Sequence, residues 1–413
     1  MEPKVVIVAF RCLSIRHGIS RAVSTICAYF KRRALVITDI YNRGLTHTIS
    51  NETPIFEFGR SYSSYTLLPL RVNEILRASI RIKTIAEKSG VKVLNAHGYD
   101  SLFCSCMAKL LSFGGLVVSW QIYDEEEIFS FLSRRSSRLV ASLGLVDQIL
   151  VLSMKMKRLV EKNLRLPNVF VLRLGVCPEL LELSEKYSRG LIETPRSLRN
   201  MIGLEDQQHI RLYFHGILVP RRRIEDLLQA FAILKQELRT VRVALYVGDG
   251  LNRDLLYMHG LRQLIDGLDL ADDVIFLDSL DDDEAIAFMY DYCDIFVFPC
   301  DHQSWGLAPL EAMLFRKPVI VSSGAGVSEV LARESLAEIV PPKDPRMLAI
   351  SIMNMIKDER WRRKLGDRGR NFVVRNLTYV STGRQLEELW LSACPSIRFM
   401  WLRISLDRKK RAT

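Results

Sequence analysis

The sequence predicts an α/β protein made of two doubly wound domains, each built on a parallel sheet. Two series of short β-branched runs lie on either side of a polar segment, and longer helical patterns separate the runs. This alternation is typical of parallel strands joined by crossover helices. Open sheets of this kind bind ligands beyond the carboxyl ends of their strands, so we expect functional residues in the loops that follow the strands.

The first domain is predicted to span residues 1–180. Its strand candidates are VVIVAF (5–10), ALVITD (34–39), VKVLNA (91–96), LVVSW (116–120), QILVLS (148–153) and VFVLRL (169–174). Residues 181–204 contain no long strand candidate and are interpreted as a polar connection between the domains.

The second domain is predicted to span residues 205–376, with C-terminal helices and a basic tail at 377–413. Its strand candidates are IRLYFHG (210–216), VRVALYVGDG (241–250), DVIFLD (273–278), DIFVFP (294–299), PVIVSS (318–323) and AEIVPP (337–342). Apolar residues at helical spacing predict a helix over 224–238. The two domains are expected to face each other across a cleft.

Composition limits the class of protein. The 413 residues include 58 Lys and Arg against 47 Asp and Glu, and the net charge of +11 favours anionic partners such as phosphates, acidic lipids or nucleic acids. No helix-turn-helix, zinc or RNA-recognition pattern occurs, so nucleic acid is not expected as a partner. The eight cysteines form no C-x-x-C pair or disulfide framework, which favours a reducing compartment.

The sequence also contains no apolar stretch of the roughly 20 residues that a membrane-spanning helix needs. No basic leader precedes the first strand candidate. We therefore expect a cytoplasmic protein, either soluble or peripheral on the inner face of the membrane.

The stretch DHQSWGLAPLEAM (301–313) joins a strand candidate to a helix that Pro309 can begin. Free backbone N–H groups and the positive end of the helix dipole at such a junction favour phosphate. Gly306 permits close approach of the backbone to a ligand, and Glu311 can accept hydrogen bonds from sugar hydroxyls. An ordinary strand-to-helix turn has the same spacing, so the junction alone leaves both interpretations open.

The wider set of motifs resembles the retaining GT-B glycosyltransferases of family 4, also described as glycosyl transferases group 1. Their E-x-F-G-L-x-x-L-E-A-M signature is present as QSWGLAPLEAM, and YVGDGLNRDLL before it and KPVIVSSGAGVSEVL and IVPPKDP after it stand in the family's order. The resemblance covers nearly the whole chain and is strongest from about 205 to 375. It implies two Rossmann-like domains, a nucleotide-sugar donor and no bound metal or other cofactor.

The resemblance assigns donor-binding roles within QSWGLAPLEAM. It implies that Glu311 binds the nucleotide ribose and that Trp305, Gly306 and Leu307 contribute to the donor site. Gln303 occupies the position of the family's first glutamate, which contacts the transferred sugar. An amide still binds a hydroxyl group, but it carries no charge to stabilise developing oxocarbenium character. Gln303 is therefore a catalytic candidate with an altered side chain.

Two further stretches resemble the family's diphosphate-binding loops. In HGILVPRRRIEDLL (215–228), Arg222 takes the position of a lysine that neutralises the diphosphate, while Ile217 replaces an arginine. A solvated basic turn is the alternative interpretation, and a neighbouring arginine that turns inward would replace the absent cation. In RHGISRAV (16–23), Gly18 would let the backbone approach the diphosphate.

Four other stretches are less specific. His97 follows a strand in LNAHGYDS (94–101) and is either a catalytic residue or a structural histidine. Gln121 replaces the family's histidine that holds the donor sugar near the reaction centre, and it is the third catalytic candidate. The glycines of SSGAGVSEVL (322–331) and of GDG (248–250) serve either the donor or the turn itself.

Together these motifs predict a retaining hexosyltransferase, or a related one, that moves sugar from a UDP-sugar or GDP-sugar to a glycan or lipid-linked acceptor. The altered residues Gln303, Gln121 and Ile217 favour an alternative, a catalytically weak or silent relative that binds nucleotide sugar or a partner transferase. Residues 398–413 combine aromatic and aliphatic side chains with six cations, which suits an anionic membrane surface. A helix packed on the first domain, with a frayed basic end, is the other interpretation of this tail.

Overall fold

A computed structural model gives the structure of the protein, and it describes most of the chain. The described residues are 5–9, 18–38, 49, 52–57, 72–133, 140–141, 143–164, 168–191, 209–238, 243–249, 254–277 and 282–393. The basic tail at 398–413, with its proposed membrane surface, lies outside these residues. Residues 16 and 17 of the predicted glycine loop RHGISRAV (16–23) lie outside them as well.

Thirteen strands are present in the described residues. They are β1 Val5–Val8, β2 Ala34–Thr38, β3 Ile55–Glu57, β4 Val93–His97, β5 Val117–Gln121, β6 Gln148–Val151, β7 Val169–Val171, β8 Ile210–Gly216, β9 Val243–Asp249, β10 Val274–Leu277, β11 Ile295–Phe298, β12 Val319–Ser322 and β13 Glu338–Val340.

The helices of the described residues lie between and after these strands. They are α1 Gly18–Phe30, α2 Val72–Lys88, α3 Tyr99–Leu111, α4 Glu125–Ser133, α5 Met154–Leu164, α6 Pro178–Ser188, α7 Ile224–Glu237, α8 Leu255–Gly267, α9 Asp283–Tyr292, α10 Ala308–Leu314, α11 Ser328–Arg333, α12 Pro345–Lys357, α13 Glu359–Asn376 and α14 Tyr379–Ala393.

The chain forms two compact units, one of residues 1–173 with 379–413 and the other of residues 174–378. In the described part of the first unit the sheet has seven parallel strands in the order β3-β2-β1-β4-β5-β6-β7. The second unit has six parallel strands in the order β10-β9-β8-β11-β12-β13. Both orders reverse beside the first strand of their unit, as in doubly wound folds. The predicted fold class is confirmed.

The predicted strands are all present, but β3 was not predicted from the sequence. It has three residues, Ile55–Glu57, at the edge of the first sheet. Ile55 is half-buried, and Phe56 and Glu57 are exposed. Three residues on a partly exposed edge carry too little alternation to be distinguished from a loop.

The two faces of the first sheet differ in polarity. One face packs its aliphatic residues and Trp120 against α2, α3, α4 and α5, and this layer forms a continuous apolar core. The other face carries buried polar residues and packs on α14, where Gln148 Nε2 donates to Leu389 O at 2.5 Å. Arg33 on this side forms an ion pair with Glu387 at 2.7 Å. Helix α14 is therefore attached to the first unit by polar contacts and also by packing of Trp390 on Phe30, whose ring centroids lie 5.3 Å apart.

The observed division places the ends of the predicted domains in different units. Helix α6, which overlaps the predicted ranges 1–180 and 181–204, belongs to the second unit, where Tyr187 packs edge-on against Phe315 at 5.9 Å. Helix α14, from the predicted C-terminal segment 377–413, belongs to the first unit. A local polar stretch does not reveal such a boundary, because contacts far apart in sequence decide it.

The basic helix α13 satisfies carbonyl groups at the ends of three other helices. Arg362 Nη1 donates to Met355 O of α12 at 3.1 Å, and Arg368 Nη2 donates to Glu334 O, just after α11, at 3.2 Å. Arg370 Nη1 donates to Leu314 O at the end of α10. Cations are favourable at helix C-termini, which carry unpaired carbonyls. Part of the positive charge thus serves the fold and does not require an anionic partner.

None of the helices within the described ranges combines the length and the apolar character that a membrane crossing requires.

Candidate functional site

The DHQSWG loop lies at the carboxyl edge of the second sheet, between β11 and α10, and pairs with the loop after β12. Gln303 N donates to Gly324 O at 3.1 Å, and Gly326 N donates to Gln303 O at 2.8 Å. Val327 N donates to Trp305 O at 3.0 Å. The two glycine-containing loops that the sequence singled out are therefore one hydrogen-bonded unit.

Helix α10 begins as predicted, with Pro309 in its first turn. Glu311, in the same turn, is 3% exposed, and its Oε2 accepts a hydrogen bond from the Tyr290 hydroxyl at 2.9 Å. The ring of Tyr290 stacks on Phe315 at 5.8 Å and meets Phe296 at 5.6 Å. Tyr290 is thus fixed by packing, and it fixes the orientation of the Glu311 carboxylate.

Arg222 and Gly306 meet at the ring of Phe298, the last residue of β11. The Arg222 Cζ lies 5.5 Å from the ring centroid, which is within the range of a cation–π contact. A Cβ at Gly306 would lie 3.1 Å from Phe298 Cε1, and the φ of 109° at Gly306 also favours glycine. The structure therefore brings together two of the predicted donor-binding residues.

Gly216, the last residue of β8, lies against the same guanidinium. A Cβ there would be 3.7 Å from the Arg222 Cζ. Arg222 Nη1 also contacts the Cys300 sulfur at 3.5 Å. Burial raises the pKa of the Cys300 thiol, so it remains a neutral acceptor beside the arginine. A glycine backbone and an arginine fork at adjacent strand ends suit a phosphate group.

The neighbouring Arg223 does not replace the cation lost at Ile217. Its guanidinium forms ion pairs with Glu225 at 2.6 Å and with Asp226 at 2.7 Å. A different cation approaches the loop: Lys343 Nζ lies 2.7 Å from Asp301 Oδ2 at the start of the DHQSWG loop. This ion pair was not predictable from a sequence motif, because it joins residues of two separate loops.

Trp305 and Leu307 have contacts that the fold itself explains. Trp305 is 2% exposed, and its Nε1 donates to Leu174 O at 2.9 Å. Leu307 O accepts from Glu311 N at 2.9 Å and so closes the first turn of α10. Both residues hold the loop in place. Their predicted donor contacts stay predictions.

Gln303 is half-buried beside Gly324, and its Oε1 is enclosed without a hydrogen-bond partner. The amide oxygen therefore has an unused capacity to accept a hydrogen bond, but it has no accessible surface in this structure.

In the first unit, His97 and Gln121 are partners at the carboxyl ends of β4 and β5. His97 is fully buried, with Nδ1 2.7 Å from the Tyr123 hydroxyl and Nε2 3.0 Å from Asn95 Nδ2. Burial lowers the pKa of His97 to about 3, so the imidazole is neutral near neutral pH. His97 can orient a neighbour or accept a hydrogen bond, but it is a poor proton donor there.

Gln121 is also fully buried, and neither its Oε1 nor its Nε2 has a hydrogen-bond partner. Next to it, Tyr123 N donates to Glu127 Oε1 at 3.2 Å, while Glu127 Oε2 is enclosed without a partner. Burial of its carboxyl group, with Asp124 nearby, raises the pKa of Glu127 well above its usual value.

The buried His97 is expected to lower the free energy of unfolding as the pH falls. Because its pKa in the folded state lies below its value of 6.5 in the unfolded chain, the unfolded state binds a proton first as the pH falls. We expect this residue alone to reduce the free energy of unfolding by about 1 kcal/mol between pH 7 and pH 5.5. Urea unfolding of wild type and His97→Gln across this range measures the effect. Equal pH slopes in the two proteins would contradict it.

Gly18 is the first described residue of α1. Residues 10–17, which precede it, lie outside the described ranges. Its predicted contact with the donor diphosphate therefore stays a prediction. Within the described ranges no cluster of His, Cys, Asp and Glu side chains has the geometry of a metal site.

Residues 201–372 match the family model described as glycosyl transferases group 1. They belong to that family. The match contains the loop pair, Arg222 and Glu311, and it confirms the family that the motifs predicted.

Several curated proteins that this chain resembles are also named as glycosyltransferases. N-acetyl-alpha-D-glucosaminyl L-malate synthase of Bacillus anthracis is 25% identical over 193 residues, which cover 47% of this chain and 48% of that protein. The GDP-mannose-dependent alpha-(1-6)-phosphatidylinositol monomannoside mannosyltransferase of Mycolicibacterium smegmatis is 25% identical over 179 residues, 42% of this chain and 45% of that protein. The chain spans about half the length of the curated relatives it matches.

The likeness to solved structures extends beyond residues 201–372. Anabaena Alr3699/HepE in complex with UDP is 17% identical and has a TM-score of 0.73, and the match covers 94% of this chain and 100% of that one. This likeness supports the GT-B fold over both units, as the motifs predicted.

Two residues that contact the candidate donor-binding residues were not predicted from the sequence. They are Phe298 of β11 and Tyr290 of α9. Phe298 lies within a predicted strand. Its β-branched and aromatic neighbours did not indicate that the Arg222 guanidinium lies over its ring. Tyr290 lies 21 residues before Glu311 in a helix and has no motif spacing to it. In the GDG motif, a Cβ at Gly248 would lie 2.9 Å from the Tyr213 hydroxyl, which favours a packing role for this glycine.

Proposed function

We propose that this protein is a nucleotide-sugar-dependent glycosyltransferase whose second unit binds the donor. The observation that carries the proposal is the position of the Arg222 guanidinium at the carboxyl edge of the second sheet, over the ring of Phe298, against which Gly306 packs, and beside Gly216. A guanidinium beside closely approachable backbone suits a diphosphate. Glu311, held by Tyr290 in the first turn of α10, supplies an acceptor for ribose hydroxyls.

The activities for which the relatives are named support a sugar nucleotide as donor. One relative is named as GDP-mannose-dependent, and one neighbouring structure contains UDP. We propose a UDP-sugar or GDP-sugar, a hexosyl or related group, and a glycan or lipid-linked acceptor bound by the first unit. For the chemistry we propose retention through a same-face displacement in which the donor phosphate oxygen helps to deprotonate the acceptor. The neutral His97 and Gln121 would orient groups in this step without transferring a proton.

The donor site is tested with a panel of UDP-, GDP- and ADP-sugars in a thermal-shift assay, with sugar release measured in parallel. We expect one nucleotide to raise the Tm of the wild type. Glu311→Gln keeps an acceptor for the Tyr290 hydroxyl but loses the charge, and Glu311→Ala removes both. We expect the apparent Kd to rise about tenfold or more in Glu311→Ala, because a charged hydrogen-bond acceptor is lost.

Glu359→Gln is the matched control, since Glu359 is exposed on α13 and pairs with Arg363 on the surface. It should bind the nucleotide like the wild type. Absence of stabilisation by every nucleotide of the panel in a folded wild-type protein would contradict the donor site.

A second candidate function is a catalytically weak or silent relative that binds nucleotide sugar or a partner transferase. The neutral amide of Gln303, with its enclosed and unpartnered Oε1, favours this candidate. Gln303→Glu distinguishes the two. A large gain in transfer or hydrolysis would mean that the remaining site is competent, whereas nucleotide binding with no turnover in either protein would favour the silent relative.

A further inference from the structure

Lys343 lies in the turn between β13 and α12 and has a φ of +60°, in the left-handed region of the backbone. The next residue, Asp344, caps α12, and its Oδ1 accepts a hydrogen bond from Met347 N at 2.9 Å. Glycine or asparagine adopts the left-handed conformation at less cost than lysine does. The geometry of the turn therefore does not explain why this residue is a lysine.

The Lys343 side chain reaches the loop that follows β11, although β12 separates β11 from β13 in the sheet. Its Nζ lies 2.7 Å from Asp301 Oδ2. The loop after β12 lies against both of the loops that the ion pair joins. Ser323 N donates to Val340 O at 2.8 Å, and a Cβ at Gly324 would lie 1.8 Å from Asp301 O. The ion pair therefore connects the outer two of three adjacent loops at the carboxyl edge of the second sheet.

Stability does not explain the lysine either. The side chain of Lys343 is 58% exposed and that of Asp301 is 27% exposed. Ion pairs at such positions contribute little to stability, because solvent screens the two charges. A left-handed backbone at a residue other than glycine has a cost of its own. What has to be explained is thus the positive charge at this place.

Asp301 puts a carboxylate next to the basic turn that contains Arg222. Asp301 N donates to Arg221 O at 3.0 Å, and the preceding residue, Cys300, contacts Arg222 Nη1 through its sulfur at 3.5 Å. A carboxylate beside a phosphate-binding arginine repels the phosphate. The repulsion matters more in this chain because Ile217 supplies no cation where the motif resemblance implies one.

We propose that Lys343 is a positioning residue of the donor site, whose ammonium group neutralises Asp301 and so removes its repulsion of the donor diphosphate. Lys343 acts through Asp301 and does not contact the donor. This inference rests on the proposed function and deepens it, because it assigns part of the affinity for an anionic donor to a residue that no motif singled out.

The decisive variant is Lys343→Met, which keeps the length of the side chain and removes its charge. We expect the Kd for UDP or GDP, whichever raises the Tm of the wild type, to increase about three- to tenfold at about 50 mM salt, because the Asp301 carboxylate is then uncompensated. At about 1 M salt the difference should fall below about twofold, since the screening length is then about 3 Å. Calorimetric titration measures both values.

A second substitution at Asp301 tests whether Lys343 acts through this carboxylate. Asp301→Asn keeps the backbone N–H that donates to Arg221 O and removes the charge. We expect Asp301→Asn alone to bind the nucleotide at least as tightly as the wild type. The double variant Asp301→Asn with Lys343→Met should return to within about twofold of the wild type, because no carboxylate remains to be neutralised.

Two further variants separate charge from backbone. Lys343→Arg keeps the positive charge, and its Kd should stay within about twofold of the wild type. Lys343→Gly removes the charge but adopts the left-handed conformation without cost, so its Tm should equal or exceed that of the wild type. Its Kd should nevertheless increase as in Lys343→Met. A merely structural lysine would not combine an unchanged or higher Tm with weaker binding.

Lys357→Met is the matched control, because it makes the same change in net charge. Lys357 is exposed at the far end of α12, a helix of 13 residues and therefore about 20 Å long. This distance exceeds the screening length of about 8 Å at physiological salt. The Kd of Lys357→Met should therefore match that of the wild type.

Three outcomes would overturn the inference. A double variant as weak as Lys343→Met, with Asp301→Asn at full affinity, would mean that Lys343 contacts the diphosphate directly. Weak binding by both single variants and by the double variant would mean that the ion pair serves only to hold the loops together. A Lys343→Gly protein with a lower Tm than the wild type would make Lys343 a structural residue.

Failure of the inference is distinguishable from failure of the proposed function. A wild-type protein that binds UDP or GDP, and a Lys343→Met protein that binds it equally well, would overturn the role of Lys343 and leave the donor site intact. A folded wild-type protein that binds neither nucleotide would overturn the donor site and the role of Lys343 together.

Discussion

Gly324→Ala is expected to destabilise the second unit and to abolish nucleotide binding. A Cβ at this position would lie 1.8 Å from Asp301 O and 2.7 Å from Cys300 O. Both atoms are backbone, so the clash cannot be relieved by a change of rotamer. Gly324 O also accepts from Gln303 N, so the two glycine loops must separate to admit the methyl group. We expect the free energy of unfolding to fall by about 3 kcal/mol or more, measured by urea denaturation.

Nucleotide binding should be lost together with this stability, because separation of the loops displaces Gln303 and the chain that leads to α10. Gly260→Ala is the control, since a Cβ there meets no atom within 4 Å and the residue lies inside α8. That substitution should stabilise the protein by about 0.5–1 kcal/mol. A Gly324→Ala protein as stable as the wild type, with normal nucleotide affinity, would contradict the paired loops.

The architecture was predictable because its signals are local. Each buried strand is a short β-branched run, and the crossover helix over 224–238 shows its apolar spacing within one segment; helix α7 ends at Glu237. The junction at 301–313 was predictable for the same reason, since proline and glycine mark the start of α10 and the turn before it. Strand β3 was missed because three edge residues carry no period.

The contacts of the site were not predictable, because they depend on distant parts of the chain. The hydrogen bond from Tyr290 to Glu311 and the contact of Arg222 with Phe298 and Cys300 exist only after the strands have been ordered in the sheet. The same applies to Gln121. Its position at a strand end was visible in the sequence, but its lack of hydrogen-bond partners depends on its neighbours in the folded sheet, where His97 is its register partner.

The motif positions also separate into ligand-binding and structural groups only in the structure. Trp305 is part of the family signature, yet its indole donates to Leu174 O and holds the loop to the start of the second unit. Arg223 is as basic as Arg222 in the sequence, but its guanidinium already has two carboxylate partners. Three consecutive arginines therefore cannot be assigned roles from their charge.

The contrast between Arg222 and Arg223 gives a second prediction, with an expected effect comparable to that of Gly324→Ala. Arg222→Met removes the guanidinium that lies on Phe298, and we expect the Kd for the nucleotide to rise about 10- to 100-fold, because a charge-assisted hydrogen bond contributes about 1.5–3 kcal/mol. Arg222→Lys should recover part of the affinity, since it keeps the charge but loses the fork. Calorimetric titration with the nucleotide that stabilises the wild type measures both. The free energy of unfolding should change little, because Arg222 forms no ion pair with an acidic residue of the described part of the chain.

Arg223→Met should show the opposite pattern. Asp226 is 4% exposed, and removal of Arg223 leaves its carboxylate buried without this ion-pair partner. Breaking such a pair is destabilising, and since Arg223 itself is partly exposed we expect a loss of about 1–3 kcal/mol. Its nucleotide Kd should stay within about threefold of the wild type, because the guanidinium is already paired with Glu225 and Asp226 of α7. If Arg223→Met weakens nucleotide binding as strongly as Arg222→Met does, the diphosphate is bound by the basic turn as a whole and not by the Arg222 guanidinium over Phe298.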